Sequence, residues 1–256
     1  MGEIHRLKVE DFKDISSRHP FGESLLEKDY YVTVILYLLR NVSGIYFKGG
    51  TALQKIFLNY ARLSEDVDYT ATRNIAEVIE DIQAILEKSK FFDKITKDKE
   101  VKQFTRLLAH YTNFDNKPDV VFIDLNQRAT LLSPSEKHTI PHFYAGHIPV
   151  FSVPTLSQAE MVAEKMAASI GRNKPRDHFD LYKIIEKNIP INLDFVRQKL
   201  SNGELDITRM FNRAKKLKKR WDASINPLLA EPIEFVKVMT TLARHFKLKE
   251  EKEKRK

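Results

Sequence analysis

The stretch Phe47–Thr70, FKGGTALQKIFLNYARLSEDVDYT, decides how the chain is read. It continues an apolar, β-prone run of Ile45, Tyr46 and Phe47. Gly49-Gly50 breaks that run, where a backbone turns tightly or approaches a ligand closely. Thr51 takes a helix N-cap position, and Ala52, Leu53, Ile56, Phe57 and Tyr60 recur at helical spacing. A short polar stretch then leads to Asp66-Val67-Asp68-Tyr69. Side chains alternate faces in an extended segment, so Asp66 and Asp68 point one way and Val67 and Tyr69 enter a core.

Two neighbouring carboxylates repel by roughly 1 kcal/mol at 4 Å in water and about 4 at an effective dielectric of 20. Mg²⁺ reverses that cost, because it prefers carboxylate and phosphate oxygens. Gly49, Gly50 and Thr51 present backbone N–H groups at a helix N-terminus, where the dipole favours a triphosphate. Taken singly, Gly-Gly-Thr is an ordinary turn and cap, and Asp-x-Asp an ordinary solvated strand edge. Strand, glycine turn, helix and a strand with two same-face carboxylates together have the layout of a nucleotidyltransferase palm.

Outward from this stretch, Glu23–Arg40 reads as a helix with Leu26, Tyr30, Val34, Ile35, Leu38 and Leu39 on an apolar face. A short helix and a loop precede it. Asn74–Lys90 reads as a second amphipathic helix, Glu100–Asn113 as a strand and Asn113–Pro118 as a hairpin-like turn. Asp119–Asn126, DVVFIDLN, is a clear strand with Val121, Ile123 and Leu125 on one face. Asp124 is unusual in so apolar a run, because an unpaired buried charge is costly. It is either a third carboxylate beside the Asp-x-Asp strand, and so a metal ligand with Asp66 and Asp68, or a residue that merely caps or pairs with an arginine such as Arg128.

The segment 128–154 is proline-rich loop with short strands, and its His138, His142 and His147 have neither helix-face nor finger spacing, so zinc is not expected. From Thr155, expected to cap the next helix, the pattern is helical. Ala159, Val162, Ala163, Met166, Ala167 and Ile170 form an inner face with Lys165 at its border, and Gly171 ends the helix. Further helices are expected over Leu193–Leu200, Ile207–Trp221 and Pro232–Phe246, with Lys247–Lys256 fraying. The Ile207–Trp221 helix turns Lys215, Lys216, Lys218, Lys219 and Arg220 outward, as an RNA-binding face or as a solvated surface.

The 256 residues suffice for one large domain or two packed ones, and 42% hydrophobic with 30% charged residues suits a globular chain. Cysteine is absent, which excludes disulfides and thiolate metal sites and fits a cytoplasmic protein. No apolar run reaches the roughly 18 residues of a membrane span, and the charged start MGEIHRLKVEDFKD has no signal-peptide core. A net charge of +8 suits a polyanionic partner.

Gly49-Gly50-Thr51-Ala52-Leu53 with Arg62-Leu63-Ser64-Glu65-Asp66-Val67-Asp68-Tyr69 resembles the AbiEii/AbiGii-type nucleotidyltransferase toxins of abortive-infection and toxin–antitoxin systems. Glu27-Lys28-Asp29-Tyr30 is similar to a motif before that family's palm, although a charged helix turn reads the same way. Lys28 there could reach a phosphate. The stretch from Glu160 to Lys165 resembles the helix carrying the family's essential lysine, and Arg176-Asp177-His178-Phe179-Asp180-Leu181-Tyr182 its Arg-Asp-x-x-Asp-Leu-Tyr signature.

The resemblance spans Glu27 to Tyr182 and implies an α+β fold. A palm with N-terminal helices would occupy 1–154, and a helical domain completing the active-site cleft 155–256. It implies Mg²⁺-dependent transfer of NMP from an NTP to an acceptor hydroxyl. The acceptor implied is the tRNA 3′ end, with a cognate antitoxin as partner. Asp66, Asp68, Lys165 and Asp177 would be catalytic. Lys165 would hold phosphates, and Asp177 would orient it or accept the hydroxyl's proton. Gly49, Gly50, Thr51, Lys165 and Arg176 would bind the nucleotide. A small-molecule or protein acceptor, and an inactive palm serving as a binding module, remain alternatives.

Overall fold

The computed structural model describes residues 4–127, 131–172, 174–200 and 203–253, without the side chain of residue 252. The chain forms two compact units, Met1–Ser157 and Gln158–Lys256. Among the described residues no helix is long and apolar enough to cross a membrane.

The first unit contains α1 (Val9–Ser17), α2 (Glu23–Leu39), β1 (Ile45–Lys48), α3 (Gly49–Ala52), β2 (Asp66–Ala71), α4 (Ile75–Lys88), β3 (Lys94–Val101), β4 (Phe104–Thr112), β5 (Pro118–Asn126), β6 (Glu136–Thr139) and β7 (Ser152–Thr155). The strands make one mixed sheet in the order β3-β4-β5-β2-β1-β7-β6. The β2–β5 and β1–β7 pairs are parallel and the others antiparallel. This is the α+β architecture expected from the sequence.

Alternation places the strands. Val67 and Tyr69 of β2, Leu107, Ala109 and Tyr111 of β4, and Val121, Ile123 and Leu125 of β5 are all buried. Residues between them, such as Asp66, Asp68, Phe122 and Asp124, are half-buried. Helix α2 packs against β2, β5 and β7 of this sheet, with α1 and α4 against α2 in turn. Its sequence suggested one apolar face, yet every residue from Asp29 to Tyr37 is buried. A helix covered on several sides is apolar nearly all round, and its periodicity fades.

The strand expected over Glu100–Asn113 is two strands. The chain reverses around Gln103, whose φ is 60°, so Glu100 and Val101 belong to β3 and pair with Thr105 and Phe104 of β4. β3, KITKDKEV, is a largely exposed edge strand with a register shift between Lys97 and Lys99. Charges on an edge strand block further pairing and leave no apolar alternation to read. The Asn113–Pro118 turn is as expected, with Asn113 Oδ1 accepting from the backbone N–H groups of Asp115 and Lys117.

The second unit holds α5 (Gln158–Gly171), α6 (Pro175–Glu186), α7 (Leu193–Lys199), α8 (Ala214–Ile225), α9 (Phe235–His245) and α10 (Leu248–Glu253). Thr155 does not cap α5. It ends β7, and its hydroxyl donates to the Leu156 carbonyl at 2.8 Å. The single helix expected over Ile207–Trp221 is a 3₁₀ turn at Ile207–Met210 followed by α8. Asp206 caps that turn by accepting from the Thr208 N–H, and the chain bends before Ala214. The C-terminal segment expected to fray contains α10 instead.

Candidate active site

The glycine turn and the acidic strand interlock. Gly49 follows β1 directly with φ +80°, a conformation L side chains rarely adopt. A Cβ there would lie 2.1 Å from Asp68 Oδ2 and 2.8 Å from Asp68 Cβ. The space a side chain would fill is the space Asp68 occupies. Thr51 is not the N-cap, which falls at Lys48. It lies in the first helical turn and donates its hydroxyl to the backbone carbonyl of Asp66. That bond fastens the turn to the start of β2.

The helix expected to run on to Tyr60 ends early. After α3 the backbone widens into a π turn over Leu53–Phe57, then leaves through Asn59 and Tyr60 at φ 51° and 53°. The physical reason is a buried cation. Lys55 Nζ pairs with Asp29 Oδ1 at 2.6 Å, both side chains almost wholly buried, and donates to Thr33 Oγ1 at 3.1 Å and Tyr60 Oη at 3.0 Å. Burial pulls the Lys55 ammonium below its ordinary pKa, against the opposing pull of Asp29. Beyond the turn, Gln54 accepts from the Arg62 N–H, and the buried Arg62 guanidinium donates to the Leu63 carbonyl. Backbone and side chains thus fix the path from Gly49 to Asp66.

Strand register builds a row of charge in which two neighbouring carboxylates lie between two cations. Lys48 of β1 lies opposite Asp68 of β2, Asp68 opposite Asp124 of β5, and Asp124 opposite Arg106 of β4. Directly opposed residues share a sheet face, so all four are on the face that carries Asp66. Asp124 is held by Arg106, with Nε donating to Oδ1 at 2.7 Å and Nη2 to Oδ2 at 2.8 Å. The Arg106 guanidinium also lies 4.8 Å from the centroid of the Phe122 ring. Of the two readings of Asp124, the structure displays the arginine pair, with Arg106 as partner. Arg128 lies outside the described residues.

Asp66 and Asp68 suit a divalent cation. Both offer hard oxygen donors on one face, and the missing Gly49 Cβ leaves room for the Asp68 carboxylate. Mg²⁺ typically takes one or two carboxylates and completes its shell with water and substrate phosphates. With Asp124 paired to Arg106, no group of three or more His, Cys, Asp or Glu is placed to hold a metal among the described residues.

Glu27-Lys28-Asp29-Tyr30 serves the packing of the first unit. Glu27 accepts from the Phe114 N–H, Lys28 pairs with Asp119 at 2.9 Å, Asp29 holds Lys55, and the Tyr30 hydroxyl accepts from the Leu7 N–H. Asp119 is five residues before Asp124 on β5, on the order of 16 Å along the strand. Lys28 is therefore engaged away from the acidic row, and the phosphate reach expected for it is withdrawn.

In the second unit, Lys165 is buried between two carboxylates. Its Nζ lies 3.0 Å from Asp177 Oδ1 and 2.9 Å from Asp180 Oδ2. Arg172 grips Asp177 with two bonds of 2.8 Å. Burial alone would raise the Asp177 carboxyl, but Lys165 and Arg172 outweigh it and hold Asp177 far below the usual carboxylate range. So weak a base suits orienting the lysine better than taking a proton. Arg176 is half-buried on the same helix.

Sequence reasoning missed Lys48, Lys55 and Arg106. The alternation in FTRLLAHYT sets Arg106 opposite in face to Leu107, but only the register puts it beside Asp124. Nothing local marked Lys55 as buried.

A family model described as nucleotidyl transferase AbiEii toxin, type IV toxin–antitoxin system, matches residues 42–243. No curated protein matches the chain in sequence. Among solved structures, the MenT4 nucleotidyltransferase toxin Rv2826c of Mycobacterium tuberculosis H37Rv is similar with a TM-score of 0.67 at 18% identity, over 94% of this chain and 89% of that one. JHP933 from Helicobacter pylori gives a TM-score of 0.62 at 18% identity, over 91% and 96%. A putative nucleotidyltransferase from H. pylori gives 0.60 at 19%, over 89% and 95%.

Proposed function

Because the chain belongs to the AbiEii family of nucleotidyltransferase toxins of type IV toxin–antitoxin systems, we propose that it transfers NMP from an NTP to the terminal hydroxyl of a tRNA 3′ end. A cognate antitoxin restrains it. The observation that carries the reading is the fit of Gly49 around Asp68, which brings a glycine turn and a paired acidic edge to one place.

Asp66 and Asp68 would hold Mg²⁺, which when bound neutralises charge on the triphosphate. Backbone N–H groups of Gly49 and Gly50 face the phosphates at the start of α3, and the Thr51 hydroxyl keeps that turn against β2. The acceptor hydroxyl attacks the α-phosphorus. One P–O bond forms, the bond to the β-phosphate oxygen breaks, pyrophosphate leaves, and the hydroxyl's proton passes to water. Lys165 is assigned to the phosphates as a point charge, with Asp177 orienting it and Arg176 as a further phosphate ligand. Asp124 enters as a third metal ligand only if Arg106 releases it.

Radiolabelled NTPs incubated with tRNA, protein extract and Mg²⁺ test the reading. Label on tRNA is the expected result. Label on protein or on a small molecule reassigns the acceptor, and no label with correctly folded enzyme removes the catalytic reading. Asp68→Ala is expected to keep its thermal transition and lose transfer.

A further inference from the structure

The most concentrated charge in the molecule lies outside the acidic site, on α8. Residues 213–220, RAKKLKKR, hold six basic and no acidic residues, in a chain whose net charge is +8. Arg213, Lys215, Lys216, Lys218, Lys219 and Arg220 are all exposed. None of their side chains pairs with an acid or other group among the described residues. The opposite side of α8, Leu217, Trp221 and Ile225, is buried, and the helix packs on α6, which carries Asp177 and Asp180.

The arrangement works against the helix that carries it. Lys215 and Lys219, and Lys216 and Arg220, are like-charged i,i+4 neighbours, which repel on a helix surface. The first turn of α8 has no acidic residue, so its lysines also oppose the helix dipole. Local stability does not account for this pattern, and a polyanion bound across it does. The apolar side is used up inside the unit, leaving no stripe to enter a lipid surface. Five helical cations within six residues, without an interspersed aromatic, suit a repeating phosphate chain rather than bases.

We infer that the exposed face of α8 is a docking surface for the phosphate backbone of the RNA acceptor. The inference rests on the reading of RNA as acceptor. Lysines act here as mobile point charges, so the contact is independent of sequence and steeply dependent on salt.

The test compares the full chain with a variant carrying K215Q, K216Q, K218Q, K219Q and R220Q, using unfractionated tRNA as probe. Binding is followed by fluorescence anisotropy across a salt series, and tRNA labelling is measured in parallel. Each lost phosphate contact lowers the slope of log affinity against log salt by about 0.7 to 0.9. The variant is expected to have a slope shallower by roughly 4 and an affinity at least tenfold lower near 0.1 M salt. KM for tRNA rises, while KM for NTP and kcat at saturating tRNA stay at the wild-type values. The thermal transition stays equal or rises, because repulsion is relieved. A second variant with the four lysines changed to arginine retains slope and affinity.

An unchanged slope and affinity, in a wild type that labels tRNA, overturns the docking surface and leaves the proposed function standing. Wild type that binds tRNA through α8 but transfers nothing upholds the surface and overturns the function. Wild type that neither binds nor labels tRNA overturns both. Loss of an acidic protein partner, with tRNA binding intact, reassigns the face to a protein and overturns the inference.

Discussion

Replacing Gly49 by alanine tests the physical basis of the site. The left-handed φ of +80° costs an L-residue about 1–2 kcal/mol. The added Cβ falls 2.1 Å from Asp68 Oδ2, short of the 3.4 Å at which ordinary contact begins, a deficit of 1.3 Å (3.4 − 2.1). The Asp68 Cβ itself stands only 2.8 Å away, so turning the carboxylate does not relieve the clash. The turn and β2 must move apart. A displacement of about 1 Å in a reacting constellation costs on the order of 100-fold in rate. Gly49→Ala should therefore lose at least about 100-fold in single-turnover nucleotide transfer. Its thermal transition should fall by roughly 2–8 °C, from that conformational cost in a chain of this size. Gly146→Ala is the control, since nothing lies within 4 Å of its Cβ and no left-handed φ is required. A Gly49→Ala enzyme with wild-type turnover and melting temperature would refute the claim that the turn is shaped around Asp68.

Three further outcomes are expected. Asp29→Ala strands the buried Lys55 ammonium and should cost about 3–5 kcal/mol in urea unfolding; the pair replacement D29L with K55M should recover most of it, and failure to recover would show that charge is required there. Asp177 has a folded pKa below its ordinary 3.8, so its contribution to stability is present above that pH and is lost as acidification continues. In Asp177→Asn that part of the acid-induced loss should vanish from a pH series of unfolding midpoints, and an unaltered series would refute the assignment. Arg106→Gln frees the Asp124 carboxylate beside Asp68 and should tighten Mn²⁺ binding measured by calorimetry. Unchanged binding would show that Asp124 stands apart from the metal.

Much of the palm was legible in the residues themselves. Period-two alternation in DVDY and DVVFIDL is a local property, and burial of one face follows from it. The glycine pair, the two same-face aspartates, and the α+β order were readable for that reason. So was the helical run that ends at Gly171, because a 3.6-residue period also survives without knowledge of neighbours.

Other features depended on partners distant in the chain. Asp124 meets Arg106 because β4 and β5 pair in one register, and a register is a property of two strands. Thr51 resembled a cap until its hydroxyl had the Asp66 carbonyl to bond instead. The π turn after Ala52 exists because Lys55 finds Asp29, which is 26 positions earlier. β3 was unreadable as a strand, since an exposed charged edge carries no hydrophobic period. Local sequence thus determined which side chains share a face, because covalent geometry sets that alternation. Only the tertiary fold decided which charges meet, because Coulombic and hydrogen-bonding partners are set by distance in space.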